Sequence, residues 1–510
     1  MKQCKIYFTS DTHGFLFPTN YADREEKDMG LLKLIEQFEV DGNTIICDGG
    51  DSIVGSPFTF HHRDLQCKVH PVATVLNAGG YQFVTLGNHD FNYGLEYLDG
   101  YLSSLDATCV CANIRDKAGK LPIKDWAIMT LENGLRVGVT GICTDFVKIW
   151  EKKETLEQLE IEEPVQAAGR ALEEMKGLVD LTICIYHGGI EKELDTGRLL
   201  TTLKENQACR IAEKLEFDLL LTGHQHKSFA GQEYHGTWIV QPTDKAKEFV
   251  ECLVSCDEGS RKKISSRLVC PTGKIHEEAA EELQELEDEV QKWLDTPKGN
   301  LSIALQPKDH LDAALHGLPL ANFFNMVQLH ATGADISGTS LANEYKGFDT
   351  KVSVRDVVAT YVYANTLVVL SVSGEVIKKY LERSAAYFTY QEETGEIGIS
   401  DEFLLPKEAH YNYDWLMGID YTFDLSKPVG ERVVSMTRNG KEIQMTDHWK
   451  LVINNYRASG TGGYEFLTEC PVLQEDLTEM TDILIDYIEK NEIIEVDTKA
   501  HVHVIQDKES

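Results

Sequence analysis

No stretch of this chain approaches the length and apolarity of a membrane-spanning helix; its hydrophobic runs are strand-length, such as CKIYF, NTIIC and DLTICIY. It has no internal repeat and no low-complexity segment, so no repeat architecture is expected. Positive charge is scarce. The 49 Lys and Arg residues stand against 83 Asp and Glu, a formal net charge of −34, and most of such a surface repels a nucleic-acid duplex. A small anion must then be attracted by local cations, for which Arg457 in NNYRAS and Arg355 in VSVRDVV are the protein's own candidates. A charged leader with an apolar core is also missing before the first strand-like run at Cys4. The twelve cysteines are irregularly spaced, and several, such as Cys47, Cys143 and Cys184, fall inside apolar runs as buried free thiols would. These features together predict a cytoplasmic enzyme with no membrane partner.

What the first half does hold is a series of metal-ligand residue types. They are Asp11 and His13 in TSDTHG, Asp51 in DGGDS, Asn88 and His89 in LGNHD, His187 in YHGG, and His224 and His226 in TGHQH. Each follows an apolar, β-rich run, and in an open α/β sheet ligands gather beyond the carboxyl ends of strands. Carboxylate, imidazole and amide donors suit borderline cations such as Mn²⁺, Zn²⁺, Fe²⁺ or Co²⁺, while the absence of cysteine from all five segments argues against a closed thiolate zinc site. Two such ions, roughly 3.5 to 4 Å apart, lower the pKa of a bound water and clamp the oxygens of an in-line phosphoryl displacement. Asp51 is the natural bridge, since a carboxylate has two oxygens and screens the repulsion between cations. Asp11, His13 and His226 then complete one ion, and Asn88, His187 and His224 the other. His89 directly follows a ligand and is placed to stabilise charge or protonate the leaving oxygen.

The pattern D-x-H, GD, GNHD, HGG and GHxH resembles the calcineurin-like metallophosphoesterases, and across nearly the whole chain the sequence resembles the 5′-nucleotidase and 2′,3′-cyclic-nucleotide 2′-phosphodiesterase family. That resemblance implies an N-terminal sandwich of two mixed sheets flanked by helices, a C-terminal α+β domain that holds the nucleoside, and an active site formed where the two meet. Two details resemble the cyclic phosphodiesterase and 3′-nucleotidase branch. The residue three after the catalytic histidine is Asn92, where 5′-nucleotidases usually have aspartate, and the late loop reads INNYRASGTGGYEF. An asparagine orients His89 by hydrogen bonding without offsetting the charge of an imidazolium. The resemblance also implies that aromatic rings clamp the base: Tyr456 or Tyr464 on one side, Tyr411 or Tyr413 of HYNYDW on the other. Gly460, Gly462 and Gly463 let backbone approach a ligand closely, and Arg457 is expected at the phosphate or ribose. One departure stands out: relatives commonly carry a glycine-containing turn after Gln-Pro, where this chain reads VQPTDKAKEF.

Length calls for two domains. Alternating β runs and amphipathic segments place a layered α/β domain over residues 1–270; EEAAEELQELEDEVQKWLD reads as a solvated linker helix within 271–297; and an α+β domain follows over 298–510. A hinge near residues 270 to 300 is expected to gate substrate entry and product release. The expected activity is hydrolysis of a small nucleotide, most specifically a 2′,3′-cyclic phosphate followed by the 3′-monophosphate, with attack by a water activated between the ions. A 5′-nucleotidase with a different ribose pose is the alternative within the same chemistry. A metal-bearing binding protein without turnover is the alternative of another class.

Overall fold

The structure is a computed structural model that describes residues 2–64, 69–200, 204–256, 262–363, 365–476 and 478–506. The chain divides into two compact units, Met1–Val290 and Gln291–Ser510.

The first unit is built on two mixed sheets. The seven-stranded sheet runs in the order Lys263–Val269, Phe249–Cys256, Lys2–Thr9, Thr44–Asp48, Phe83–Val84, Thr108–Val110, Ile123–Lys124. The six-stranded sheet runs Phe229–Tyr234, Thr237–Gln241, Leu219–Thr222, Leu181–His187, Arg136–Cys143, Trp126–Thr130. Alternation along the strands builds the layers. Ile6, Phe8, Ile183, Ile185, Leu219 and Leu221 share one core cluster with residues of both sheets. Their neighbours Cys184, Tyr186 and Leu220 face the other way, onto Ala167, Ala168 and Ala171 of the helix Pro164–Met175 and Ile211 of the helix Ala208–Lys214. Full burial of an Ile or Leu side chain contributes roughly 1.5–3 kcal/mol. This doubly packed centre is therefore a rigid platform, and the strands Lys2–Thr9, Thr44–Asp48 and Phe83–Val84, parallel to one another, deliver their following loops to one end of it.

The helix Glu277–Leu294 is not the solvated linker expected from its glutamates. Ala279, Ala280, Leu283, Glu287 and Val290 are buried at helical spacing, and Glu287 accepts from the Tyr21 hydroxyl at 2.9 Å. Its first turns thus belong to the packing of the first unit, and the apolar stripe is what anchors them.

In the second unit a five-stranded sheet, ordered Trp415–Met417, Ile336–Thr339, His448–Asn454, Leu367–Ser373, Val472–Asp476, is accompanied by a four-stranded sheet and the helices Pro319–Thr332, Gly374–Ala385 and Met480–Lys490. Leu320, Phe323, Val369, Leu381, Val452 and Leu484 meet in one core. Among the described residues no helix is long and apolar enough to cross a membrane. Eight of the described cysteines are buried as free thiols, Cys47, Cys143 and Cys184 among them.

Candidate active site

The five ligand-bearing segments converge. Asp11, His13 and His226 place one ligand atom each within 4.8 Å of one another, and so do Asp51, His187 and His224. Asn88 joins the second group, its Oδ1 lying 3.2 Å from His187 Nε2. Five of these seven residues, Asp11, His13, Asp51, His224 and His226, have left-handed backbone, with φ between 50° and 72°. Such conformations cost of order 1–3 kcal/mol each and persist where surrounding contacts impose them. Here the loops impose them on one another: Asp11 N donates to Gly50 O at 2.9 Å and His13 N to Asp51 O at 2.8 Å. The motif glycines have a steric reason too. A Cβ at Gly87 falls 2.1 Å from Asp51 Oδ1, and one at Gly223 falls 2.6 Å from Asp11 Oδ2.

Hydrogen bonds fix which ring nitrogens face inward. His13 donates Nδ1–H to Val54 O at 2.8 Å, and His187 donates Nδ1–H to Gly49 O at 2.7 Å, so each turns Nε2 to the centre. His224 donates from Nε2 to Glu205 Oε1 at 2.6 Å, leaving Nδ1 for the centre. These carbonyl and carboxylate partners are the outer contacts that metal-bound histidines characteristically make. Two observations fit cations between these groups. His13 Nε2 and His226 Nε2 lie 3.1 Å apart with His226 Nε2 3.4 Å from Asp11 Oδ1, and the buried Asp51 Oδ2 makes no hydrogen bond among the described residues although His187 Nε2 is 3.2 Å away. Charge points the same way. Burial disfavours a charged His187, yet Asp51 and Asp11 push its pKa up to about 10; burial holds His13 down at about 4, where it is a neutral donor. The two buried carboxylates, Asp51 and Asp11, thus favour positive charge at the centre.

His89 stands beside this centre. Its ring centroid is 5.6 Å from that of His13, and its backbone N–H donates to Asp51 Oδ1 at 2.7 Å. The ring donates Nδ1–H to Asn92 Oδ1 at 2.8 Å, and Asn92 Nδ2 donates to Glu151 Oε2 at 2.9 Å. Burial raises the Glu151 carboxyl above the usual range, opposed by hydrogen bonds from Lys152 N and Asn92. Asp90 of the same motif is a brace: its carboxylate accepts from the backbone N–H of Asp51, Ser52 and Gly87 at 2.8–2.9 Å and of Ile53 at 3.2 Å, binding two of the site loops together.

The turn after Gln-Pro keeps its place without glycine. Lys245 and Ala246 take left-handed φ of 56° and 51°, Lys245 N donates to Asp11 O at 2.8 Å, and Asp244 Oδ2 lies 3.7 Å from His226 Nδ1.

In the second unit the expected nucleoside residues separate into two groups. Tyr411 and Tyr456 are half-buried, with ring centroids 6.3 Å apart and planes at 74°, an edge-to-face pair and not two parallel rings. Tyr413 and Tyr464 are core residues: the Tyr413 hydroxyl donates to Ala314 O at 3.1 Å and that of Tyr464 to Asn412 O at 3.2 Å. Arg457 is no phosphate contact either. It is buried in a two-pronged pair with Asp414, both bonds 2.8 Å, and donates to Thr461 O at 2.7 Å and Tyr411 O at 2.9 Å. Its guanidinium is thereby the clamp that holds Tyr411 and the late loop together. Arg355 is likewise buried, paired with Asp295. Gly460, Gly462 and Gly463, at φ of 82–90°, have a packing reason to be glycine: a Cβ at Gly462 meets Asn412 Oδ1 at 2.3 Å, and one at Gly463 meets Arg383 Nε at 2.3 Å.

A domain with this sandwich and this convergence of donors is a metallophosphoesterase. The chain matches the calcineurin-like phosphoesterase family over residues 4–228 and the 5′-nucleotidase C-terminal domain family over residues 303–469. It is 31% identical to a Staphylococcus aureus protein provisionally described as a 5′-nucleotidase and solved with α-ketoglutarate, covering 99% of this chain and 100% of that one at a TM-score of 0.90. It is 26% identical to the 2′,3′-cyclic-nucleotide 2′-phosphodiesterase/3′-nucleotidase of Haemophilus influenzae, over 95% of this chain and 84% of the relative. It is 28% identical to the trifunctional nucleotide phosphoesterase YfkN of Bacillus subtilis over 95% of its length, while spanning 37% of that longer relative. The chain belongs to the 5′-nucleotidase family of nucleotide phosphoesterases.

Glu205, Glu151 and Asp244 were not singled out in the sequence, because an acidic chain offers many carboxylates and their partners are remote in it. The role of Glu205 has a measurable consequence. Glu205→Gln loosens the His224 ring and is expected to weaken metal binding by about 10- to 100-fold, read by competition with a chelator. Removing Arg457 acts on stability. Arg457→Ala leaves Asp414 buried and unpaired, costing about 3–5 kcal/mol, seen as a lower denaturant midpoint of the second unit.

Proposed function

We propose that this protein is a 2′,3′-cyclic-nucleotide 2′-phosphodiesterase that also removes phosphate from the resulting 3′-nucleotide. The observation that carries the reading is the partner of His89: the ring is held by the Asn92 amide at 2.8 Å and not by a carboxylate, the feature in which the sequence resembles that branch. The activity for which the Haemophilus relative is named supports it.

In this reading Asp11, His13, His226 and Asp51 hold one divalent ion, and Asp51, Asn88, His187 and His224 the other. When bound, the two ions supply Lewis acidity at the phosphoryl oxygens and a water more acidic than bulk. The chain's own residues do the rest. Gly49 and Val54 carbonyls and the Glu205 carboxylate orient the ligand rings. His89, with Nδ1–H committed to Asn92, presents Nε2 to the departing ribose oxygen and gives it a proton. Tyr456, with Tyr411 edge-on to it, takes the base by stacking, which accepts purine and pyrimidine alike. Tyr456→Ala then costs about 1–3 kcal/mol of binding, read as a higher KM with kcat nearly kept.

The test is release of phosphate and nucleoside by Mn²⁺-loaded protein from 2′,3′-cyclic AMP, 3′-AMP and 5′-AMP at equal concentration. Preference for the first two is expected. Preference for 5′-AMP would replace this reading with that of a 5′-nucleotidase, as the description of the Staphylococcus relative suggests.

A further inference from the structure

The side chains around His89 leave one question of chemistry open: what decides which face of the Asn92 amide the ring meets. An amide presents an acceptor on one side and a donor on the other, and the two orientations fill the same space. With Oδ1 toward His89, the ring keeps its proton on Nδ1 and uses Nε2 to carry a proton to the reacting atoms. With Nδ2 toward His89, Nδ1 must accept, and a neutral ring holds its proton on Nε2 as a far weaker acid. Residues 89–92 do not choose between these. Glu151 does, because a carboxylate only accepts: its Oε2 takes Nδ2–H of Asn92 at 2.9 Å, which forces Oδ1 onto the ring nitrogen 2.8 Å away. Glu151 is itself fixed, 8% exposed, with Oε1 accepting from Lys152 N at 2.7 Å. It is delivered by the short helix Val147–Trp150, whose last residue stacks on His224 at 5.5 Å and 23°.

We propose that Glu151 is a positioning residue for the reaction: acting through Asn92, it sets the tautomer and orientation of His89. The proposal rests on His89 being the donor to the leaving oxygen. In that step the Nε2 proton passes to the ribose oxygen as its bond to phosphorus breaks and the bond from the water oxygen forms. The water's proton goes to solvent, from which the ring is later recharged.

An aryl oxide leaves without a proton, so it separates this role from a merely structural one. We compare kcat on the hydrolysed nucleotide with kcat on bis(p-nitrophenyl) phosphate, for wild type, Glu151→Leu, Glu151→Gln, Asn92→Asp and the double variant Asn92→Asp/Glu151→Gln. Glu151→Leu is expected to lose about 10- to 100-fold on the nucleotide, less than about 3-fold on the aryl ester, and none of its bound metal. Glu151→Gln sets one amide against two donors, Lys152 N–H and Asn92 Nδ2–H, so it no longer fixes the Asn92 amide and is expected to fall between wild type and Glu151→Leu on the nucleotide, again with less than about 3-fold loss on the aryl ester. Asn92→Asp sets two carboxylates at hydrogen-bond distance and falls below the double variant, in which the repulsion is gone. Equal losses of Glu151→Leu on both substrates, no loss on either, or an Asn92→Asp/Glu151→Gln variant no better than Asn92→Asp would each overturn the proposal. The nucleotide used is whichever of the 2′,3′-cyclic, 3′ and 5′ phosphates the wild type hydrolyses. A wrong substrate assignment therefore appears as a different nucleotide, and a wrong role for Glu151 as an unchanged ratio between the substrates.

Discussion

Asp51→Ala lowers metal-dependent phosphate release by about a thousandfold or more, the largest loss expected of any single side chain. The reason is the number of tasks one carboxylate performs. Its Oδ2 is buried with no hydrogen bond among the described residues, 3.2 Å from His187 Nε2, and its Oδ1 accepts the backbone N–H of His89. In the proposed two-ion site its removal takes a ligand from both cations and increases their mutual repulsion, and it also releases the segment that carries His89 and Asn88. A factor of a thousand corresponds to about 4 kcal/mol of transition-state stabilisation, modest for a group shared by both ions of a two-metal site. The variant's metal content separates the causes: it falls together with activity if Asp51 bridges, and stays at the wild-type level with activity intact if it does not.

The second large effect comes without loss of metal. His89→Ala lowers kcat on nucleotides by about 10²- to 10⁴-fold, the range for a positioned proton donor. His89 touches the centre through its backbone and through the neighbouring His13 ring, not as a member of either ligand group. Metal content is therefore expected to match wild type, and the loss is expected to shrink for aryl phosphates. A variant that lost metal in proportion to activity would instead place His89 among the ligands.

Much of the centre was legible in the sequence because its donors are chemically distinctive and each lies directly after a strand. Aspartate, histidine and asparagine at the ends of apolar runs carry their meaning locally, and the strand order needed to gather them is a property of open α/β sheets. The partners one layer out were not legible. Glu151 is 59 residues from Asn92 and Glu205 is 19 from His224, in ordinary acidic segments of a chain with 83 carboxylates. The tyrosines show a different limit. Tyr411 and Tyr413 would share a face in a strand, but His410–Asn412 is a 3₁₀ turn, so one ring stays half-buried near Tyr456 and the other enters the core. Residue type alone suggested a ligand role for Arg457; the buried Asp414 that claims it lies 43 residues earlier. The helix Glu277–Leu294 was recognisable from its apolar spacing, but that Tyr21 waits for Glu287 is long-range information that spacing does not contain.

The central claim is that seven side chains from five loops hold two cations that drive phosphoester hydrolysis. Its most direct test is to strip the protein of metal, titrate Mn²⁺ back, and follow bound metal and nucleotide hydrolysis in the same samples. The account predicts no turnover by the stripped protein and full activity at two equivalents bound per chain. Full activity at one equivalent, or any substantial turnover with none, would contradict it.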